Sequence, residues 1–282
     1  IEMNLEWRDK TESGFEYNVG VNMSTIRNRM TKLNGGTPIS DGPFRNGSMY
    51  LTYTNEGMPI GAFWGYKTDG LIQTQEQLNA VKRADFQPNA ELGDVLFVDT
   101  NGDGKLDSSD RCMIGNPIPD IIYGINMGMA WKGFDLNLQF GGTIGNQIFN
   151  AMRYYTYFPN DITNKDRALM NYWTPNNTNT DIPRLTATDV NDNDRFSDMY
   201  VENGTYFRLR NAQLGYTLPA SLTQRIKLQK VRFYVSGQNL FTISSYSGMD
   251  PEVGQSSSLS RGIDYGIYPQ NISFTGGINV TF

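Results

Sequence analysis

The stretch Asn271-Ile272-Ser273-Phe274-Thr275-Gly276-Gly277-Ile278-Asn279-Val280-Thr281-Phe282 decides the fold. Successive side chains of a strand point to opposite faces, so Ile272, Phe274, Gly276, Ile278, Val280 and Phe282 share one face and the polar residues share the other. The same two-residue period recurs in Phe15, Tyr17, Val19, Val21 and Met23, set against Glu16, Asn18, Gly20, Asn22 and Ser24. It returns in Ile121–Trp131, in Phe134–Gly141 and in Val231–Ser236. In Tyr206–Leu218 the phase changes: Phe207 and Leu209 have one parity, and Ala212, Leu214, Tyr216 and Leu218 the other. A β-bulge near Arg210-Asn211 would restore it. Ile1–Arg8 alternates as well, giving about seven strands.

A soluble β-sandwich also alternates, but three details favour a membrane barrel. No charge interrupts the apolar face of the best strands. Aromatic residues flank the short turns, Trp7 and Phe15 at the first and Trp131 and Phe134 at the second, as an interfacial girdle requires. Short and long connections alternate. Leu33–Pro119, Ala151–Thr205 and Ser244–Ile267 are long; Ser13-Gly14, Lys132-Gly133 and Pro219–Leu228 are short. Barrels of the bacterial outer membrane have short periplasmic turns and long extracellular loops. Seven strands cannot close, and an open edge in lipid is prohibitive, so the rest of the barrel has to come from elsewhere in a longer polypeptide. The chain begins in mid-strand without a signal peptide, which fits that reading.

Composition narrows the function. The mean hydropathy is −0.48, and no run of 18 apolar residues could form a spanning helix. A spanning strand needs no such run, because its lumen-facing half is polar. The net charge is −5, which offers no nucleic-acid surface. There are no histidines and a single cysteine, Cys112. This removes histidine-based nucleophile systems, the common zinc sites and any internal disulfide, and the chain is read as not an enzyme.

The connection 33–119 reads as a small extracellular subdomain. Thr74-Gln75-Glu76-Gln77 resembles a capping box opening a short helix, and Val95–Val98 reads as a short strand. The segment 99–110 then matches a calcium-type loop, with Asp99, Asn101 and Asp103 at positions 1, 3 and 5. Gly104 stands at the turning sixth position, the Lys105 carbonyl at position 7 and Asp110 at position 12. Asp99, Asn101, Asp103, Asp110 and the Lys105 carbonyl are the expected Ca²⁺ ligands, and Asp107 could act through water. Aspartate at position 12 reaches less far than glutamate, so Mg²⁺ is a possible substitute. Flanking helices are missing, which favours a structural staple over a sensor. An acidic turn without metal is the alternative.

One set of segments runs from Gly57–Gly61 through Tyr66–Gly70, then Gly93-Asp94 leading into the 99–110 loop, and Ile114–Pro117 with Pro119. Asn203-Gly204 with Tyr206–Arg210, Gln238–Thr242 and Tyr246–Glu252 complete the set. Together they carry a resemblance to the SusC/RagA family of TonB-linked outer-membrane transporters. It implies the C-terminal part of an all-β, 22-stranded antiparallel transmembrane barrel in the bacterial outer membrane, closed by a plug that lies outside residues 1–282. It also implies a SusD-like surface lipoprotein as lid, coupling to the TonB complex through the missing N-terminal region, and oligosaccharide or peptide substrates. Phe282 resembles the terminal aromatic read by the barrel-assembly machinery. A calcium-stabilised surface binding or adhesion module is the alternative function. No residue is assigned to substrate. Tyr154, Tyr155, Tyr157 and Phe158 could stack on sugars or pack their loop. Arg153, Arg167 and Arg184 could contact ligand or be solvated charge.

Overall fold

The computed structural model describes residues 1–158, 164–254 and 257–282. Residues 159–163 and 255–256, within two of the expected long connections, lie outside the described residues. The alternating segments form one seven-stranded sheet. Its strands are β1 (Glu2–Lys10), β2 (Glu16–Thr25), β3 (Ile121–Trp131), β4 (Phe134–Ile144), β5 (Tyr206–Thr217), β6 (Lys230–Ser244) and β7 (Ser273–Thr281). Each pairs antiparallel with its neighbours in chain order, as an up-and-down meander.

The register keeps like with like. Val19 lies opposite Met127 and Val21 opposite Ile125, while Asn137 faces Gln213 and Gln139 faces Asn211. One face is therefore continuously apolar and the other is rich in amides, hydroxyls and glycines. On the apolar face Leu5 is 64%, Phe274 78% and Ile278 59% exposed, with nothing packed over them. An uninterrupted apolar surface of this extent marks contact with lipid or protein. On the polar face, glycines make room for large neighbours. A Cβ at Gly128 would sit 2.2 Å from Asn18 Oδ1, and one at Gly277 2.5 Å from the Tyr234 ring.

The expected bulge is present. The β5–β6 register shifts between Leu209 and Asn211, and the β4–β5 register shifts at Gln139/Phe140. The extra residue lets Phe207 and Leu209 share the apolar face with Leu214 and Tyr216 despite their opposite parity. On β6, Asn239 takes a left-handed φ of 53°, and the strand runs on to Ser244, beyond the segment its alternation marks.

One end of the sheet carries tight connections. Lys132 and Gly133 both have positive φ, 47° and 87°, the pattern of a type I′ hairpin turn. The other end carries the long ones, which fold into three small sheets. The first comprises Ile39–Phe44, Met49–Thr54, Ala62–Gly65 and Cys112–Gly115, and the second Thr68–Leu71 with Val95–Phe97. The third joins Val201–Asn203, Gln147–Asn150 and Ile263–Asp264. Helix α1 (Gln75–Arg83) opens on a complete capping box, with Thr74 and Gln77 exchanging side-chain and backbone bonds. Helix α2 (Ala151–Tyr157) follows β4.

Because six antiparallel pairings separate them, β1 and β7 run in the same direction. They cannot pair antiparallel with each other. An all-antiparallel barrel built on this wall needs an odd number of further strands.

Candidate functional site

The three long connections share one core. Phe44, Leu51, Phe63 and Ile114 come from the first, Phe149, Ala151, Tyr154, Phe158, Phe196 and Tyr200 from the second, and Ile263 from the third. Tyr154 sits edge-on to Phe44 at 5.0 Å, and its hydroxyl accepts a bond from Arg45 at 3.1 Å. Burial pushes the Tyr154 hydroxyl pKa far above its ordinary value. Of the two readings left open by the sequence, packing holds for Tyr154 and Phe158, which are both buried. Tyr157 stays partly open, with the Arg153 guanidinium over its ring.

The second connection is pinned to the first by polar groups. Asp94 is fully buried and takes Arg184 Nε at 2.7 Å and Asn193 Nδ2 at 3.0 Å. Asn193 Oδ1 accepts the Val95 N–H, and Gln87 bonds both Val95 O and Phe97 N–H. Gly93, at φ 85°, lies under the Trp173 indole, which donates to Gln73 Oε1 at 2.8 Å. Arg184 is therefore not simply solvated charge; it neutralises a buried carboxylate. Arg153 pairs with Asp181 and lies 3.7 Å from Glu202. No ion pair is recorded for Arg167 among the described residues, and it begins the short 3₁₀ turn Arg167–Asn171.

The third connection is clasped to the wall. Arg208, 2% exposed on β5, donates to Asp250 Oδ1 at 2.5 Å, to Glu252 Oε2 at 2.8 Å and to Thr242 Oγ1 at 2.8 Å. Asp250 also accepts the backbone N–H groups of Glu252 and Gln270, so one carboxylate ties both ends of the loop to the strand. Burial opposes the charge on Asp250, but these N–H groups and Arg208 outweigh it and hold its pKa below the usual carboxylate value. A cavity of about 300 Å³ opens beside this loop, lined by Arg153, Thr156, Tyr157, Ser247, Met249 and Asp264 among others.

The expected metal ligands lie on the outer connection, away from the clasp. Asp99 accepts N–H groups from Gly102 at 2.6 Å and Gly104 at 2.8 Å, and both glycines have positive φ, 79° and 77°. The N–H of Gly104 above all lowers the Asp99 pKa, and the N–H of Ser109 does the same for Asp107. Asp103 accepts from Lys105 N–H, and Asn101 Nδ2 donates to Asp103 Oδ2 at 3.1 Å. Asp110 is buried, accepting from Thr100 N–H and Asp107 N–H. The loop is thus a run of carboxylates held by main-chain donors. Among the described residues no three carboxylate, cysteine or histidine side chains converge as a ready cation cage. The all-oxygen donor set suits a hard cation, and a cation touching Asp103 Oδ2 would displace the Asn101 amide.

The sheet, with one lipid-compatible face, one polar face and all its elaboration at one end, defines a wall segment of a transmembrane β-barrel. Over its whole length the chain is 36% identical to TonB-dependent receptor P3 of Formosa agariphila and 26% identical to TonB-dependent receptor SusC of Bacteroides thetaiotaomicron. It spans only 28% and 26% of those proteins. Among solved structures it resembles that of the RagAB peptide transporter, with a TM-score of 0.75, 23% identity and coverage of 100% of this chain and 28% of that one. No protein-family model matches the chain. It is a portion of a SusC/RagA-like barrel.

Proposed function

We propose that the chain is the C-terminal part of a TonB-dependent importer in the bacterial outer membrane, and not an enzyme. The observation that carries this reading is a wall of seven strands with a bare apolar face and two unpaired edges running in the same direction. Unpaired strand edges in hydrocarbon cost several kcal/mol per exposed group, so this wall works only inside a larger closed barrel with the plug and the remaining strands of the same polypeptide. The relatives named as TonB-dependent receptors favour import over a static pore. In this reading a SusD-like lipoprotein seats on the fused outer loops, and an oligosaccharide or peptide passes beneath it. TonB engages a region outside this chain.

The same reading gives Asp99, Asn101, Asp103, Asp110 and the Lys105 carbonyl to a Ca²⁺ ion, with Mg²⁺ as a substitute. Their spacing and the two left-handed glycines support it. The ion would neutralise carboxylates that otherwise repel one another, stapling the outer loop.

The test uses the full-length protein. An importer migrates heat-modifiably in detergent, co-purifies with a lipoprotein and takes up substrate only when TonB is present. An adhesion module would show neither the lipoprotein nor the TonB dependence.

A further inference from the structure

We propose that Arg27 and Arg29 form a docking step for the phosphate groups of lipid headgroups in the outer leaflet; this rests on the outer-membrane reading above. The last β2–β3 pair is Thr25 with Ile121, and one further backbone bond follows it, from Ile26 N–H to Asp120 O at 2.8 Å. On β2 the odd-numbered residues Tyr17, Val19, Val21 and Met23 form the apolar outer face. Asn28 fixes the phase above the strand, because its Oδ1 accepts the Ile60 N–H at 2.8 Å and so turns toward the loop body. Arg27 and Arg29 flank it, on the parity that continues the lipid-facing side. Both are exposed.

Neither guanidinium has an ion-pair partner among the described residues. The acids close by in the fold do not pair with either arginine. Glu56 accepts the Leu33 N–H, and the Asp120 carboxylate lies against Gly145, on the polar-face parity of β4. At a fully extended rise of about 3.3 Å per residue, Arg27 stands at most about 7 Å and Arg29 at most about 13 Å beyond Thr25. A headgroup layer is about 5–8 Å deep on each side of the hydrocarbon, so Arg27 lies within it, while the Arg29 guanidinium rests over Gly57 at its outer edge. Two planar forks without carboxylate partners suit phosphate oxygens, which they engage bidentately.

The experiment uses the full-length protein in mild detergent and native mass spectrometry. The probes are a phosphorylated, acylated disaccharide glycolipid, its dephosphorylated form, and inorganic phosphate. Arg27→Gln/Arg29→Gln should weaken retention of the phosphorylated lipid roughly 25-fold, about fivefold per cation. Retention of the dephosphorylated lipid and heat-modifiability should not change, and inorganic phosphate alone should not bind. Arg27→Lys/Arg29→Lys should keep salt-sensitive retention. Equal retention of the phosphorylated lipid by wild type and the glutamine variant overturns the proposal. So does loss of lipoprotein co-purification with lipid retention intact, which would assign the arginines to a protein interface. Absence of heat-modifiable migration in the wild type would instead overturn the barrel reading itself.

Discussion

Replacing Asp250 with alanine should release the third outer connection without unfolding the wall. Arg208 is 2% exposed and Asp250 4%, so the substitution leaves a buried guanidinium short of its nearest carboxylate. Removing one partner of a buried ion pair costs about 3–5 kcal/mol. Glu252 at 2.8 Å and Thr242 remain to Arg208, which places the expected cost near the lower end, about 3 kcal/mol. At about 1.4 kcal/mol per tenfold, local opening becomes roughly 100-fold more frequent. Hydrogen exchange on the full-length protein should show that loss at Glu252 and Gln270, whose N–H groups Asp250 accepts, with β5 and β6 unchanged. The folded pKa of Asp250 is depressed. Its contribution is therefore complete above the unfolded value of about 3.9 and is lost as pH falls through the lower folded value. Protection at these amides should be flat from neutrality to about pH 4 and fail below it. Unchanged exchange in Asp250→Ala, or equal loss in the wall strands, would refute the clasp.

Arginine at Val19 or Val21 should cost about 2–4 kcal/mol of folding stability if near the lipid midplane, whereas arginine at Asn18 or Asn22 should be tolerated; refolding yields into lipid vesicles report the difference. Gly93→Ala combines a strained φ of 85° with a Cβ 2.2 Å from the Trp173 ring. It should raise protease cleavage around Trp173–Arg184 while leaving heat-modifiable migration intact. Asp99→Ala or Asp103→Ala should abolish any Ca²⁺-dependent protection of the 99–110 loop, and identical wild-type cleavage patterns in saturating Ca²⁺ and in chelator would sink the metal staple.

The wall was legible because each strand divides two environments, so its period of two is written in the residues. Even the bulge at Leu209/Asn211 showed, as a change of parity in Tyr206–Leu218. The outer half of β6 did not, since the left-handed Asn239 breaks the alternation just where the strand continues. The capping box at Thr74 is a local signal and was readable. The clasp and the Asp94 cluster were not, because their partners lie 42 and 90 residues apart and nothing local pairs Arg208 with Asp250 or Arg184 with Asp94. The Tyr154–Phe158 cluster was ambiguous for a related reason. An aromatic run on a loop has no period to say which way it faces, and only the convergence of three connections makes it a core.

The wall is expected to stand in lipid with its apolar face outward. The direct measurement is a cysteine scan from Tyr17 to Met23 in the full-length protein, in a Cys112→Ser background, with a spin label at each position in native outer membrane. Collision with oxygen, which concentrates in lipid, should peak at Tyr17, Val19, Val21 and Met23. Collision with a water-soluble nickel chelate should peak at Asn18, Gly20 and Asn22. Accessibility without this two-residue alternation, or chelate access at both parities, would contradict it.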